Sequence, residues 1–325
     1  MVCHQLRAIE HLRVEDVAEP VPGPHEVMVE VDAAGLSYLD VLIVNGAYQL
    51  QHATPFIPGG EFAGHVVRVG PDVAEFRVGD RVAGETVTGA LAERVVARTN
   101  QLVPLPAEVS LPMGATVLQS YTTALYALTR RISVQPGDFV LVLGAGGGVG
   151  SACVDVASSL GASVIAVAST EAKRSLALSL GAVAVIDPEC EDLKVRAREL
   201  SGHGLDVVID PVGGAVAEPA LRALGYGGRY LVVGFASGLI PSFPLNLVLL
   251  NNRQVVGVEL GVETARNPEL AAVLNREVMA GVAEKRFRPH EPRVEDFELA
   301  GEVLRAIRDR EVAGKIALLL HPPTT

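Results

Sequence analysis

The chain has no tryptophan, and aromatic residues make up only 4% of its sequence. Cysteine is also sparse. The 325 residues contain only Cys3, Cys153 and Cys190, which are far apart along the chain. This spacing gives neither a disulfide framework nor a cysteine-rich zinc motif, and it is typical of a reducing compartment. We therefore expect a cytoplasmic protein without a disulfide or a structural metal.

Positive charge and long apolar runs are also scarce. Lysine and arginine number 27 against 38 aspartate and glutamate residues, which gives a formal net charge of −11. This excess of negative charge argues against binding to nucleic acid or to anionic membranes. No uninterrupted apolar run reaches the roughly 20 residues that a membrane-spanning helix needs, and residues 1–7 show no secretory signal. We predict a soluble protein with no nucleic-acid or membrane partner.

The most informative feature that is present is a glycine-rich turn. A short apolar run, 139–143, leads into this turn, and a helical pattern follows it. The pattern Ala145-x-Gly147-x-x-Gly150 is the alanine form of the dinucleotide fingerprint, whose small residues allow the backbone to approach a pyrophosphate closely. The helix N-terminus then favours the negative charge. We expect the cofactor to contact Ala145, Gly146, Gly147, Gly148, Val149 and Gly150.

The pattern of strands and helices changes at about residue 121. Before it, short alternating strands lie between Pro- and Gly-containing turns, which is typical of a small β-barrel. After it, apolar strands alternate with helices, which predicts an α/β doubly wound parallel sheet. The predicted strands of this sheet are 139–143, 163–168, 183–186, 205–210, 228–233 and 254–258.

The length of 325 residues exceeds what one hydrophobic core usually serves, so two domains are expected. Two helical patterns after residue 259 precede a final strand at 315–320. A strand in that place does not extend the parallel sheet naturally, and we assign it to the first domain. The predicted domains are residues 1–120 together with 259–325, and residues 121–258.

Further motifs occur in order along nearly the whole chain. They are Ala34-Gly35-Leu36-Ser37-Tyr38-Leu39-Asp40, Gly46-Ala47-Tyr48, Pro58-Gly59-Gly60-Glu61-Phe62-Ala63-Gly64, Val78-Gly79-Asp80-Arg81-Val82, Thr122-Thr123-Ala124, Asp210-Pro211-Val212-Gly213-Gly214 and Gly314-Lys315-Ile316. With the glycine turn, they resemble the zinc-independent, zeta-crystallin-like quinone oxidoreductases of the medium-chain dehydrogenase/reductase superfamily. The resemblance implies a GroES-like, β-barrel-type substrate domain that is split around a Rossmann domain.

The same resemblance bears on metal binding. Zinc-dependent members of the superfamily have a cysteine where Ser37 stands and a histidine in the position of Gly60. A catalytic zinc needs three protein ligands, and two of these positions are replaced. We interpret His65 as an ordinary barrel residue, and we expect Glu61 to accept hydrogen bonds from backbone donors. The sequence therefore predicts catalysis without a metal.

In Rossmann domains, residues at the end of the second strand determine whether NAD or NADP is preferred. NAD enzymes place a carboxylate there to bind the ribose 2′-hydroxyl, whereas this chain has Ala168, Ser169 and Thr170. Lys173 and Arg174 follow, and small polar residues with a cation suit a 2′-phosphate. The other interpretation is that both cations are solvated helix residues. We predict NADPH as the cofactor, with Lys173 ahead of Arg174 as its phosphate ligand.

The resemblance also implies candidates for substrate chemistry. Tyr48 matches the proton-donating tyrosine of enoyl-thioester reductases, although quinone reductases often have a tyrosine there and its ring could simply shape the pocket. Ser37 or Tyr38 could instead donate a hydrogen bond to a substrate carbonyl. Tyr38 could equally be bulk that lines the pocket.

Three more residues are implied near the nicotinamide. Thr122 matches a threonine that contacts this region in relatives. Gly234 and Phe235 follow the fifth Rossmann strand, although a core phenylalanine would account for Phe235 equally well. We count all three as cofactor-binding candidates.

The sequence thus predicts an NADPH-dependent reductase of quinones or of small α,β-unsaturated carbonyl compounds, called enones below. One alternative is an enoyl-thioester reductase for acyl-CoA or carrier-protein substrates, with a basic patch from Arg253, Arg276 and Lys285. The other is a non-catalytic, crystallin-like NADPH-binding protein. We also expect a homodimer through the strand from Gln254 to Val258, because an exposed apolar sheet edge favours pairing with a second chain.

Overall fold

The computed structural model describes residues 1–49 and 52–320, which form two compact units. Within the described residues, the first unit contains Met1–Gln119, Asn267–Glu284 and Glu291–Thr325, and the second contains Ser120–Arg266 and Lys285–His290. These bounds differ from the sequence-based ones at residues 259–266 and 285–290, which pack with the second unit.

A buried carboxylate explains why residues 285–290 belong to the second unit. Asp155 accepts hydrogen bonds from the Arg288 backbone N–H at 2.6 Å and from the Tyr121 hydroxyl at 2.7 Å. The ring of Phe287 packs against that of Tyr121, with 5.8 Å between the ring centroids. Contacts between residues so distant in sequence leave no local pattern from which the boundary could be predicted.

The strands and helices alternate differently in the two units. The strands are β1 (Glu26–Leu36), β2 (Glu61–Val69), β3 (Arg81–Glu85), β4 (Arg94–Arg98), β5 (Leu102–Pro104), β6 (Phe139–Leu143), β7 (Ser163–Val167), β8 (Ala184–Ile186), β9 (Leu205–Asp210), β10 (Leu224–Val232), β11 (Gln254–Gly257), β12 (Arg293–Asp296) and β13 (Ile316–Leu319). The helices are α1 (Tyr38–Val44), α2 (Leu111–Tyr126), α3 (Gly148–Ser159), α4 (Glu171–Ser179), α5 (Leu193–Ser201), α6 (Ala217–Ala223), α7 (Asn246–Leu249), α8 (Leu260–Arg266), α9 (Pro268–Ala283) and α10 (Ala300–Arg308). In the described part of the chain, no helix is both long and apolar enough to cross a membrane.

The first unit contains a mostly antiparallel sheet. Its strand order is β12-β13-β1-β2-β3-β5, and β4 also pairs with β1. Strand β1 shifts register against β2 at Met28/Val29 and again at Val31/Ala33, and such bulges bend and twist a sheet. The pairing of β13 with β1 confirms that the closing strand belongs to this unit.

A parallel sheet with the order β11-β10-β9-β6-β7-β8 forms the second unit. Strand β6 is almost continuously apolar, and Val140 and Leu141 are fully buried, as expected for a strand covered by helices on both faces. The strand order reverses direction between β6 and β9. In open parallel sheets, ligands bind outside the carboxyl ends of the strands at such a reversal.

The structure confirms the α/β class and the predicted strands of the parallel sheet to within a few residues. The elements that were not predicted individually are the helices α1, α2 and α8 and the strands β4, β5 and β12. The second helical pattern after residue 259, predicted for residues 296–308, begins only at α10. The reason is that Arg293–Asp296 pairs with β13 as an edge strand and a 3₁₀ turn, Phe297–Leu299, follows.

Candidate functional site

The glycine turn lies between β6 and α3, at the reversal of the parallel sheet. Gly144 adopts a left-handed conformation with φ of +59°. Gly147 caps the N-terminus of α3, whose first two residues are Gly148 and Val149. A Cβ atom added to Gly150 would lie 2.1 Å from the Gly144 carbonyl oxygen. Only glycine fits at this last position, which is the close helix–strand approach that the fingerprint requires.

Lys173 packs directly against this turn. A Cβ atom added to Gly146 would lie 2.4 Å from both Cβ and Cγ of Lys173. The stem of Lys173 therefore covers the backbone at Gly146, and any larger residue at that position would displace it. The N-terminus of α4 is capped by Thr170, whose Oγ1 accepts a hydrogen bond from the Lys173 backbone N–H at 3.3 Å.

Arg174 lies in a different environment from its neighbour. Its guanidinium donates to the Ala168 carbonyl oxygen at 2.9 Å and to Asp187 Oδ2 at 2.8 Å. The Arg174 and Asp187 side chains are only 22% and 20% exposed, so Asp187 neutralises this cation. Ser169 and Thr170, in contrast, are both exposed at the carboxyl end of β7.

The loops after β9 and β10 complete the same edge of the sheet. The Asp210 carboxylate accepts from the backbone N–H groups of Val212 and Gly213 at 2.8 and 2.7 Å, and from the Tyr230 hydroxyl at 2.5 Å. These bonds fix the loop beside the glycine turn. In the sequence, Asp210 stood out only as part of a family motif. That its carboxylate anchors the loop after β9 is seen only in the structure.

Phe235 is not a core residue. It is 39% exposed, and a Cβ atom added to Gly213 would lie 3.0 Å from its ring. The backbone N–H of Gly234 donates to the Asp210 carbonyl oxygen at 3.2 Å. Both residues thus lie at the edge that carries the glycine turn, whereas Thr122 is buried within α2, and contact of any of the three with a nicotinamide stays a prediction.

In the first unit, Ser37 caps the N-terminus of α1 and forms a capping box with Asp40. Both its backbone N–H and its hydroxyl donate to Asp40 Oδ2, at 2.7 and 2.9 Å. Asp40 is only 1% exposed, and burial raises its pKa to about 6, against the lowering effect of the Ser37 hydrogen bonds and Lys315. The Ser37 hydroxyl hydrogen is therefore engaged, which leaves its oxygen as an acceptor. The spacing Ser-x-x-Asp could have revealed this bond from sequence.

Glu61 connects three segments of the first unit. Its Oε1 accepts from the Gln119 backbone N–H at 2.9 Å, and its Oε2 accepts from the Lys315 ammonium group. The expectation that Glu61 binds backbone donors is thus confirmed. Glu85 stands directly opposite Glu61 in the β2–β3 pairing, and burial together with the Glu61 charge raises the pKa of Glu85 to about 8.

The positions of zinc ligands in relatives contain Ser37 and Gly60, neither of which offers a thiolate or imidazole. Among the described residues, no group of three or more His, Cys, Asp or Glu side chains could hold a metal ion. His65 lies within β2, with its Nδ1 atom 2.7 Å from Asp32 Oδ2. Catalysis without a metal remains a prediction.

The two tyrosines of the predicted substrate site lie at opposite ends of α1. Tyr38 is the first residue of this 7-residue helix and packs against the core of the first unit. Tyr48 follows the helix, after a turn in which Gly46 has a φ of +62°, and is half-buried in a bend. We treat the two tyrosines as alternative candidates for the substrate site.

A GroES-like unit and a Rossmann unit with a dinucleotide fingerprint together define an oxidoreductase of the medium-chain dehydrogenase/reductase class. Residues 23–107 match the family described as the alcohol dehydrogenase GroES-like domain. Residues 148–276 match the family described as zinc-binding dehydrogenase.

Similar individual proteins identify the family within this class. Quinone oxidoreductase-like protein 2 of Bos taurus is 37% identical over 98% of this chain and 91% of its own length. The quinone oxidoreductase of Pseudomonas syringae pv. Tomato DC3000 superposes with a TM-score of 0.90 at 30% identity, over 98% of both chains. That of Escherichia coli, complexed with NADPH, gives 0.90 at 26% identity, over 98% of both. The chain belongs to the quinone oxidoreductase-type family of medium-chain dehydrogenases/reductases.

Proposed function

We propose that the protein is an NADPH-dependent reductase of quinones or small enones that works without a metal. The observation that carries this proposal is the packing of Lys173 against Gly146. The stem of this lysine lies beside the glycine turn, and the exposed hydroxyl residues Ser169 and Thr170 precede it in sequence. A membership in the quinone oxidoreductase-type family supports the same activity.

The residues present fit NADPH. The glycine turn and the free N–H groups at the start of α3 suit a pyrophosphate, and Lys173 with Ser169 and Thr170 suits a 2′-phosphate. Residues 168–170 contain no carboxylate that would repel this phosphate. When bound, NADPH supplies the hydride, and these residues hold it in place.

The substrate residues differ in what they can donate. Reduction of an enone produces an enolate, which needs a hydrogen-bond donor and then a proton. The Ser37 hydroxyl already donates to Asp40 at 2.9 Å, so we assign Ser37 the role of an acceptor. Tyr48 is then the best candidate for the donor, and Tyr38 is the alternative at the other end of α1.

The enoyl-thioester alternative is weakened at one of its three basic residues. Arg253 is only 6% exposed, and its guanidinium donates to the carbonyl oxygens of Leu247 and Arg222 at 3.1 and 3.3 Å and to that of Leu224. A guanidinium used in this way cannot bind a phosphate at the surface. Arg276 and Lys285 are exposed but belong to different units.

Three acceptors distinguish the candidate functions when NADPH oxidation is followed by its absorbance. We expect the purified protein to oxidise NADPH with a quinone or a small enone and to do so much more slowly with crotonyl-CoA. Preference for crotonyl-CoA would favour the enoyl-thioester alternative. Tight NADPH binding without turnover of any acceptor would favour the non-catalytic one.

A further inference from the structure

Gly60 borders a small buried space whose nearest atoms are all polar. The residue is buried, and a Cβ atom added to it would lie 3.0 Å from the Thr86 carbonyl oxygen, 3.6 Å from Gln119 Nε2 and 3.8 Å from Asp40 Oδ1. The Thr86 backbone N–H donates to the Gly60 carbonyl oxygen at 2.7 Å, which fixes the two segments side by side.

Asp40 Oδ1, which borders this space, has no hydrogen-bond partner among the described residues, and neither has Oγ1 of Thr86, the residue whose carbonyl oxygen borders the space. Asp40 is only 1% exposed. Leaving a buried polar group unpaired costs about 1–3 kcal/mol, and more when the group is charged. A buried water molecule typically makes 2–4 hydrogen bonds to such groups. A water molecule here could donate to Asp40 Oδ1 and to the Thr86 carbonyl oxygen, and accept from the Thr86 hydroxyl.

We propose that the space beside Gly60 binds one ordered water molecule, which joins Thr86 to Asp40 Oδ1 and so holds Asp40 in its bond to Ser37. Asp40 is then a positioning residue. It receives the Ser37 hydroxyl on Oδ2 and the water on Oδ1, and this keeps the Ser37 oxygen available as an acceptor for a bound hydroxyl or amide group. Only this last consequence, for ligand binding, rests on the proposed function.

Loss of the water would be detected as a change in the pKa of Asp40, which also depends on the charged groups around it. Glu61 raises the pKa of Asp40, while Lys315 and the Ser37 hydrogen bonds lower it. Glu85 faces the same Glu61–Lys315 pair from β3. A water that donates to Asp40 Oδ1 stabilises the ionised form, because hydrogen bonds to charged groups are the stronger ones. Removal of this water should therefore raise the pKa of Asp40.

The substitution Gly60→Ala tests the water site. A high-resolution crystal structure of the wild-type protein should contain a water molecule within hydrogen-bond distance of Asp40 Oδ1 and a Thr86 oxygen, and the variant should lack it. With ¹³C-labelled aspartate, the infrared band of the protonated Asp40 carboxyl should disappear at a midpoint at least one pH unit higher in Gly60→Ala. This corresponds to about tenfold tighter proton binding. Asp40→Asn identifies the band.

Gly301→Ala in α10 is the matched control, because its added Cβ atom would lie at an ordinary 3.7 Å from the Ile9 carbonyl oxygen. It should leave the midpoint unchanged. If Gly60→Ala does not fold, Thr86→Val removes the hydroxyl at nearly constant shape and should raise the midpoint likewise. The proposal is overturned if the wild-type site contains no water, or if the folded variant keeps both the water and the midpoint. Neither readout uses NADPH, so failure of the proposed reductase activity would be seen separately.

Discussion

Arg174 and Asp187 form an ion pair at 2.8 Å, and this pair gives Arg174 a different environment from that of its neighbour Lys173. Lys173 precedes Arg174 by one residue, yet its stem packs against Gly146 in the glycine turn. Arg174 is turned towards the end of β8 and shares its charge with a carboxylate. Because the stem of Lys173 packs against the glycine turn, we propose Lys173 as the residue that binds a 2′-phosphate on the adenosine ribose.

We expect Lys173→Ala to weaken NADPH binding by about 10- to 100-fold and NADH binding very little. A hydrogen bond to a charged group contributes roughly 1.5–3 kcal/mol, which corresponds to this range. Titration of both cofactors by calorimetry measures the two affinities. Arg174→Ala is the control, and it should lower stability more than NADPH affinity. Equal affinity of the wild-type protein for NADPH and NADH would contradict the prediction.

The difference between Lys173 and Arg174 illustrates what the sequence could and could not predict. The strands of the parallel sheet were predictable, because buried apolar runs end at glycines or polar residues such as Asp210. Helix α2 was not, since most of Leu111–Tyr126 is buried, its polar residues Thr116, Ser120 and Thr122 included, so the sequence does not show one polar and one apolar face. The opposition of Glu61 and Glu85 depends on the register of β2 and β3, which no local pattern specifies. The sequence thus predicted which segments form the site. The partner of each side chain could be identified only once the fold was known.

Glu85 should make the stability of the protein decrease as the pH rises. Its pKa is raised to about 8 in the folded state from an ordinary 4.5, so the folded protein binds more protons than the unfolded one between these values. Stability falls with pH wherever that is so. We expect the unfolding temperature to decrease between pH 5 and pH 8.5, and to decrease less in Glu85→Gln. The exposed Glu75→Gln serves as control, and identical slopes in all three proteins would disprove the assignment.

The outer edge of β11 should join two copies of the chain. This strand is at the end of the sheet, Val255 is 46% exposed, and Leu245 and Leu249 nearby in sequence are 78% and 74% exposed. Apolar sheet edges of this kind favour pairing. Light scattering should give a dimer mass for the wild-type protein and a monomer mass for Val255→Lys. Val17→Lys, at a position 53% exposed in the first unit, should remain dimeric.

One observation opposes this pairing. Arg131 Nε donates to the Gly257 carbonyl oxygen at 2.8 Å, and α8 begins three residues after β11 ends. If these groups cover the edge, the wild-type protein will have a monomer mass at micromolar concentration, and the dimer hypothesis is then wrong.

Chelation should leave the activity intact. Ser37 is engaged with Asp40 and Gly60 has no side chain, so two positions that bind zinc in relatives supply no ligand, and a catalytic zinc needs three. We expect metal analysis to find less than stoichiometric zinc, and incubation with a strong chelator to leave NADPH oxidation unchanged. A zinc-dependent dehydrogenase treated in parallel should lose its activity. Stoichiometric zinc whose removal abolishes turnover would refute the prediction.

Tyr48→Phe should separate the two substrate classes. The substitution retains the ring and removes only the hydroxyl, so a wall of the pocket would be preserved while a proton donor would be lost. Because the Ser37 hydroxyl is engaged with Asp40, the protein has little to replace Tyr48, and enone turnover should fall by roughly 100-fold or more, within the range of general acid catalysis. Quinone reduction should fall less, since the oxygens of a reduced quinone can take protons from water. Tyr38→Phe is the matched control at the other end of α1, and it should leave both rates nearly unchanged. If Tyr48→Phe reduces both substrates at near wild-type rates, Tyr48 only shapes the pocket, and loss of enone turnover in Tyr38→Phe would assign the donor to Tyr38.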